Sequence, residues 1–335
     1  MDSKKDYYYE IDRKLQSQLK KYPLWFRNYF VRVGAMTGKN QFCCLKKAFH
    51  WLINEGILLT NEIENIKIKD LQNLKPSNIT SYLKYEYTVN GLKYSTVSVK
   101  KGILSSFWDY LVKEGYVKHN IVAKKDRGDN MFSQISNNVP KEYKYPEEKY
   151  LIDILNEIDK VNPVQRSRDM AILHLFVGSS IRIQELVFLN VDDVYFENLK
   201  IVVTTKGRAY DYTPVEKFIS LEAAEYLKDW INIRTAADGE QALFVKLTDG
   251  RRLSEHGVRY LIKRYSREKI TPHMLRHYSA THIAEMEMEH VTKITQQHLG
   301  HSNSITSKKH YIHKDKVSSY RNTIRDFRID RLRCK

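Results

Sequence analysis

The chain has 335 residues, enough for two domains that each bury a core, and at 42% apolar and 12% aromatic residues it has the composition of a folding protein. Lys and Arg number 56 against 40 Asp and Glu, a formal net charge of +16, and a field of that sign attracts polyanions, nucleic acid first among them. Cys43, Cys44 and Cys334 lack the spacing of a zinc site or redox pair, and no apolar run approaches membrane-spanning length, so a metal finger and a membrane protein are excluded and a reduced, cytoplasmic setting is expected.

From Leu19 to about Asn120 apolar residues recur at three and four, the period of helices with one buried face. Leu24, Phe26, Tyr29 and Phe30 form one such face, and Cys44, Leu45, Phe49, Trp51 and Leu52 a second. Ile79, Tyr82 and Leu83 form a third, and Val97, Ile103, Leu104, Phe107, Tyr110 and Leu111 a fourth that ends at Gly115. Lys46 and Lys47 beside Phe49, and Lys100 and Lys101 before Ile103, interleave with these faces. Each alone reads as a solvated helix position; as a set on a small helical domain they are candidates to lie against DNA phosphates.

The stretch DRGDNMFSQISNNVPKEY, from Asp126 to Tyr143, loses apolar periodicity and has linker composition. Beyond it the pattern is mixed: helices around Tyr150–Ile158 and Arg168–Phe176, then two β-branched and aromatic runs, LKIVVTT and YDYTPV, joined by KGRA as a hairpin. No P-loop or GxGxxG sequence is present, so a nucleotide-driven motor is unsupported and no cofactor is expected.

Chemistry-bearing residues gather at the element boundaries of this second half. In GSSIRIQEL, Ser179 or Ser180 is a candidate cap for a helix that carries Arg182 in its first turn and Glu185 on the same face, a pair that equally reads as a helix-surface ion pair. Lys206 stands at the hairpin tip, where a flexible stem can swing an ammonium into a neighbouring site or rest in solvent. In TPHMLRHYSATH, Thr271 caps a helix with Pro272 first, so free backbone N–H groups, His273 and Arg276 share a first turn suited to an anion. The competing reading, His273 and His277 as a metal pair, lacks a following glutamate and a third ligand, and no metal is assigned. His301 follows a glycine in HLGH, and Tyr311 follows a polar segment.

In this order SIRIQEL, TKG, HMLRH, LGH and YIH resemble the GLRxxEL-like segment, hairpin lysine, HxLRH helix, LGH segment and YxH segment of the tyrosine recombinase, or phage integrase, family. The resemblance implies an α+β fold: a small all-helical core-binding domain, SAM-like, over residues 1–125, a linker over 126–144, and a mainly helical catalytic domain with a small antiparallel sheet and a C-terminal tail over 145–335. It implies Tyr311 as nucleophile, Arg182, Arg276 and His301 on the phosphate, His273 as base and Lys206 as acid, with Glu185 and His277 in support. The expected partner is double-stranded DNA with specific recombination sites, held on two duplexes by a homotetramer associated with the nucleoid, with no membrane. The reaction runs through a 3′-phosphotyrosyl link, and integration or excision of a mobile element is preferred over resolution of chromosome dimers. The tail after Lys316 reads either as an ordinary terminal helix on its own domain or, as the resemblance implies, as a segment that packs on a neighbouring protomer.

The sequence departs from the family in two places: Ser180-Ile181 stands for Gly-Leu, and Ile121 follows Asn120 where proline is common. Too few residues precede Leu19 for an arm-binding domain, so dependence on distant arm sites is not expected. Two other functions fit less well, a type IB topoisomerase and a non-catalytic DNA-binding regulator of the same fold.

Overall fold

The computed structural model describes residues 4–122, 146–204, 214–286, 321–330 and 332, and the chain divides into two compact units, Lys5–Lys141 and, in the main, Glu142–Lys335. The expected linker, 126–144, lies outside the described residues.

The described residues of the first unit form helices joined by turns, with no strand among them: α1 (Lys4–Leu19), α2 (Leu24–Phe30), α3 (Ala35–Asn54), α4 (Ile68–Gln72), α5 (Pro76–Thr88) and α6 (Tyr94–Lys113). Residues spaced at three and four supply the core, Phe42, Leu45, Phe49 and Leu52 from α3 and Val97, Leu104, Phe107 and Leu111 from α6. Rings dominate it: Trp25, Phe26, Phe49 and Phe107 meet edge to face or tilted, at centroid distances of 5.6–6.2 Å. Gly115, at φ 75, closes α6 with Tyr116 N–H donating to the Leu111 carbonyl at 2.9 Å, the left-handed stop its position predicts. Two features differ from expectation. α1 begins well before Leu19, with Tyr8, Ile11, Leu15 and Leu19 buried, and Leu24, placed on a core face by period alone, is 63% exposed at the start of α2.

The second unit contains α7 (Glu148–Ile158), α8 (Pro163–Ser179), α9 (Ile183–Val187), a sheet, α10 (Leu221–Ile233), α11 (Glu255–Tyr265) and α12 (Pro272–Met286). The sheet has three antiparallel strands in sequence order, β1 (Val194–Tyr195), β2 (Lys200–Thr204) and β3 (Pro214–Phe218), with Lys200 opposite Phe218 and Thr204 opposite Pro214. The expected hairpin is thus present in its strands, although the described part of the second starts only at Pro214 and residues 205–213, Lys206 among them, lie outside the described residues.

α8 is the central element: every residue from Arg168 to Ser179 is buried, so it shows no amphipathic stripe and packs on α7, α10 and α12 at once. Gly178 permits that packing, because a Cβ there would stand 2.5 Å from Ser220 Oγ, the side chain that caps α10. The architecture is the expected α+β arrangement of a helical unit followed by a mainly helical one with a small sheet.

The described tail residues bury Ile324, Phe327, Ile329 and Leu332 in this unit. Ile329 and Asp330 donate their amides to the Glu222 carboxylate at 2.8 and 3.1 Å, and Tyr226 donates its hydroxyl to Asp330 at 2.7 Å. In the described residues the chain's own α10 supplies the acceptor for the tail's amides, and its own core takes Phe327, Ile329 and Leu332. No described helix is long and apolar enough to cross a membrane.

Candidate active site

Arg182, Glu185, His273, Arg276 and His277, which the sequence singles out, converge where α8 ends against α12. The turn that makes this possible is Ser180, the residue after α8, in the left-handed conformation at φ 48 and ψ 35. A serine there lacks glycine's freedom, and its side chain offsets the strain with a bond that glycine could not make. Its hydroxyl donates to Ser279 Oγ at 2.6 Å, and its carbonyl accepts Arg276 Nη1 at 2.7 Å. Both tie the end of α8 to α12.

Neither serine caps the next helix. Ser179 is the last residue of α8, and Arg182 itself occupies the N-cap of α9, with its N–H donating to Glu185 Oε2 at 2.9 Å and Nη1 to Oε1 at 2.8 Å. Arg182 therefore lies just outside the first turn, in extended backbone at ψ 149, instead of within it. The Arg182–Glu185 pair exists, but it is no surface ion pair, since the Glu185 side chain is 2% exposed.

α12 starts as expected: Thr271 Oγ1 accepts the Met274 N–H at 3.3 Å and Pro272 is first in the helix. Arg276 is buried on the side facing Ser180, whereas His273 is exposed and meets His277 with their Nε2 atoms 2.8 Å apart. Burial, with the neighbouring His277 and the Arg276 and Arg182 guanidiniums, holds His273 below its ordinary range, so at neutral pH the ring is free of charge and able to accept a proton. Burial and Arg182 bring Arg276 down to about 10, and it stays a cation at neutral pH.

Lys217 completes the cluster and was missed from the sequence. It sits in β3, its side chain 2% exposed, with Nζ 3.9 Å from Glu185 Oε2. Burial lowers it to about 8. Burial also pushes Glu185 upward, but Lys217, the Arg182 N–H and the Arg182 guanidinium together hold its carboxyl below the usual range. A signal was available: Val215, Lys217 and Ile219 alternate on one strand face, so the lysine stands between two inward apolar residues.

The remaining candidates divide. Lys206, His301 and Tyr311 lie outside the described residues. In the helical unit Lys47 is exposed, Lys46 and Lys101 are half-buried, and Lys46 Nζ lies 5.8 Å from the Phe42 ring centroid. Lys100 differs from the expectation of a phosphate contact, because its ammonium is 2.7 Å from Glu86, which also accepts the Tyr82 hydroxyl at 2.7 Å. Among the described residues one group has metal-ligand types together, His174, Glu222 and Asp330. There Glu222 already accepts both tail amides and lies 2.9 Å from His174 Nδ1, so the group holds the tail.

The phage integrase family matches residues 145–317, more than half of the chain. The chain belongs to the phage integrase family. Its members are tyrosine recombinases, and the chain is an enzyme of this class, a tyrosine-type site-specific DNA recombinase. Among curated phage integrase relatives, tyrosine recombinase XerS of Streptococcus thermophilus is 27% identical over 296 residues, covering 77% of this chain and 82% of that protein. XerS of Streptococcus uberis matches to the same extent, 27% with the same coverage. The fold of this integrase is shared with the Tn1549 transposon integrase solved with a circular intermediate DNA, at a TM-score of 0.61 and 18% identity over 92% of this chain and 98% of that one. It is shared also with a lambda integrase dimer solved on a core site, at a TM-score of 0.58 and 16% identity over 91% of this chain and 97% of that one.

Proposed function

We propose that this recombinase cleaves and rejoins DNA at specific sites through a 3′-phosphotyrosyl link to Tyr311, with Arg182, Arg276 and His301 on the scissile phosphate. The observation that carries the reading is the convergence of Arg182 and Arg276 at the end of α8, each oriented by its own bonds, to Glu185 and to the Ser180 carbonyl. Attack on a phosphodiester concentrates negative charge on the non-bridging oxygens, and fixed guanidiniums receive that charge with little reorganisation.

Tyr311 Oη forms a bond to phosphorus as the bond to the deoxyribose 5′ oxygen breaks. A phenol with a pKa of about 10 needs a proton acceptor, and His273, uncharged at neutral pH, takes the proton. Lys206 gives a proton to the departing 5′ oxygen. A 5′ hydroxyl from the partner duplex then reverses the step, so the energy of the phosphodiester is kept and no cofactor is drawn in.

The assembly proposed is a homotetramer on two duplexes, working at the nucleoid. The domain roles proposed are DNA binding for residues 1–125, linkage for 126–144 and catalysis for 145–335. The biological role proposed is integration or excision of a mobile element. A solved lambda integrase tetramer bound to a Holliday junction, with a TM-score of 0.59, has this fold, which is compatible with such an assembly.

The test is covalent capture of nicked duplex DNA by the full chain in SDS. Tyr311→Phe should abolish the adduct while leaving DNA affinity within about threefold, and Arg276→Ala should lower the capture rate by at least about 100-fold, the scale of a lost transition-state contact. An adduct that survives Tyr311→Phe, or that maps to a serine, would overturn the assignment.

A further inference from the structure

Lys217 has no part in the chemistry above, yet among the described residues it is the most deeply buried cation of the site. Its ammonium is sealed in β3 with Nζ 3.9 Å from Glu185 Oε2. Among the described residues, the charged groups that face it are Glu185 of α9, Arg182 at the cap of that helix and Arg276 of α12. Taking an ammonium out of water is unfavourable without a counter-charge, and here the counter-charge is the same carboxylate whose two oxygens hold the backbone and guanidinium of Arg182. Glu185 is thus gripped from two sides, by Arg182 toward the open face and by Lys217 from within.

We propose that Lys217 is a positioning residue for DNA cleavage: it anchors Glu185, which in turn holds Arg182, and it places a third positive charge behind the two guanidiniums. The inference rests on the reading of Arg182 and Arg276 as the phosphate-binding pair. Among the described residues, three cations against one carboxylate leave the cluster with two net positive charges. A phosphodiester brings one negative charge and its pentacoordinate transition state two, so the cluster matches the transition state better than the ground state. Removing Lys217 leaves a single net charge, which matches the ground state instead.

The test uses the full chain and a nicked duplex recovered from a random-sequence pool by covalent capture on the wild-type protein. Lys217→Met should slow adduct formation roughly 10- to 100-fold, less than loss of a direct phosphate contact, with DNA affinity within about twofold. Lys217→Arg, which keeps the charge, should restore most of the rate. Because burial brings Lys217 to about 8, the wild-type rate should fall as pH rises through that value. The Lys217→Arg variant is decisive where the Met substitution impairs folding: its fall near pH 8 should disappear, since a guanidinium keeps its proton, leaving only the later fall expected of the Lys206 acid. A wild-type rate from folded Lys217→Met, or a fall near pH 8 retained in Lys217→Arg, overturns the proposal. A wild-type chain that captures no duplex overturns the reading of the site itself, and this inference with it.

Discussion

Ser180 shows how one residue can set a site without touching its substrate. In the left-handed region a side chain costs about 1–2 kcal/mol relative to glycine, and the Ser180 hydroxyl offsets part of this through Ser279. Ser180→Gly removes both the backbone cost and the hydrogen bond, worth about 0.5–1.5 kcal/mol, so the two effects largely offset and the melting temperature should shift by no more than about 6 °C. Ser180→Ala keeps the backbone cost, loses the bond and leaves buried Ser279 without that partner, and should destabilise by about 1–3 kcal/mol. Equal melting temperatures for the two variants would show that the left-handed backbone costs nothing, and a Ser180→Ala variant as stable as the wild type would show that the hydroxyl contact contributes nothing.

At the scale of elements, the tail and α10 form one unit of structure through Glu222. Glu222→Ala would leave the Ile329 and Asp330 amides and His174 Nδ1 without their acceptor. Each buried donor so stranded costs about 1–3 kcal/mol, enough to release the tail. Hydrogen exchange at those two amides should rise by at least about tenfold, the scale of one such loss, and unchanged protection would sink the idea. Burial raises Glu222, but the His174 bond and the two amides outweigh it and the carboxyl lies below its ordinary range. A depressed carboxyl contributes stability above its unfolded pKa of about 4.3, and loses it as pH falls through the lower folded value. Tail protection should therefore be full at neutral pH and decline below about pH 4.

The elements also show what the sequence could and could not reveal. α3, α6, α7 and α12 were legible because one apolar face or one cap governs each. α1 begins in KKDYYYE, where charge and hydroxyl-bearing rings mask the spacing of Tyr8, Ile11, Leu15 and Leu19. β1, with two residues, is too short to carry a period. In the site, Arg182, Glu185, His273, Arg276 and His277 stood in recognisable motifs, whereas Lys217 announced itself only through strand alternation. The cap of α9 escapes a local reading because Ser180 adopts a conformation that serine seldom takes. The inward turn of Lys100 depended on Glu86, fourteen residues away on another helix, which no local pattern reports.

For the whole molecule, the net charge of +16 sets the expectation for DNA binding. Log affinity should fall linearly with log salt, by about 0.9 per phosphate neutralised on duplex DNA. Lys47→Ala should flatten that slope by about one unit, because Lys47 is exposed. Lys100→Ala should leave the slope unchanged and lower thermal stability instead, since it strands Glu86 among Tyr82 and Asn90. A slope altered by Lys100→Ala and untouched by Lys47→Ala would reverse these assignments.

The cluster of Arg182, Arg276 and Lys217 around a single Glu185 has a consequence for the protein between reactions. Like charges held together in a dry setting repel, and the fold must restrain that self-repulsion whenever no anion is present. The site is therefore poorly suited to its own resting state. Its discomfort is the counterpart of its readiness: substitutions that quieted the repulsion would make a sturdier protein and a slower recombinase.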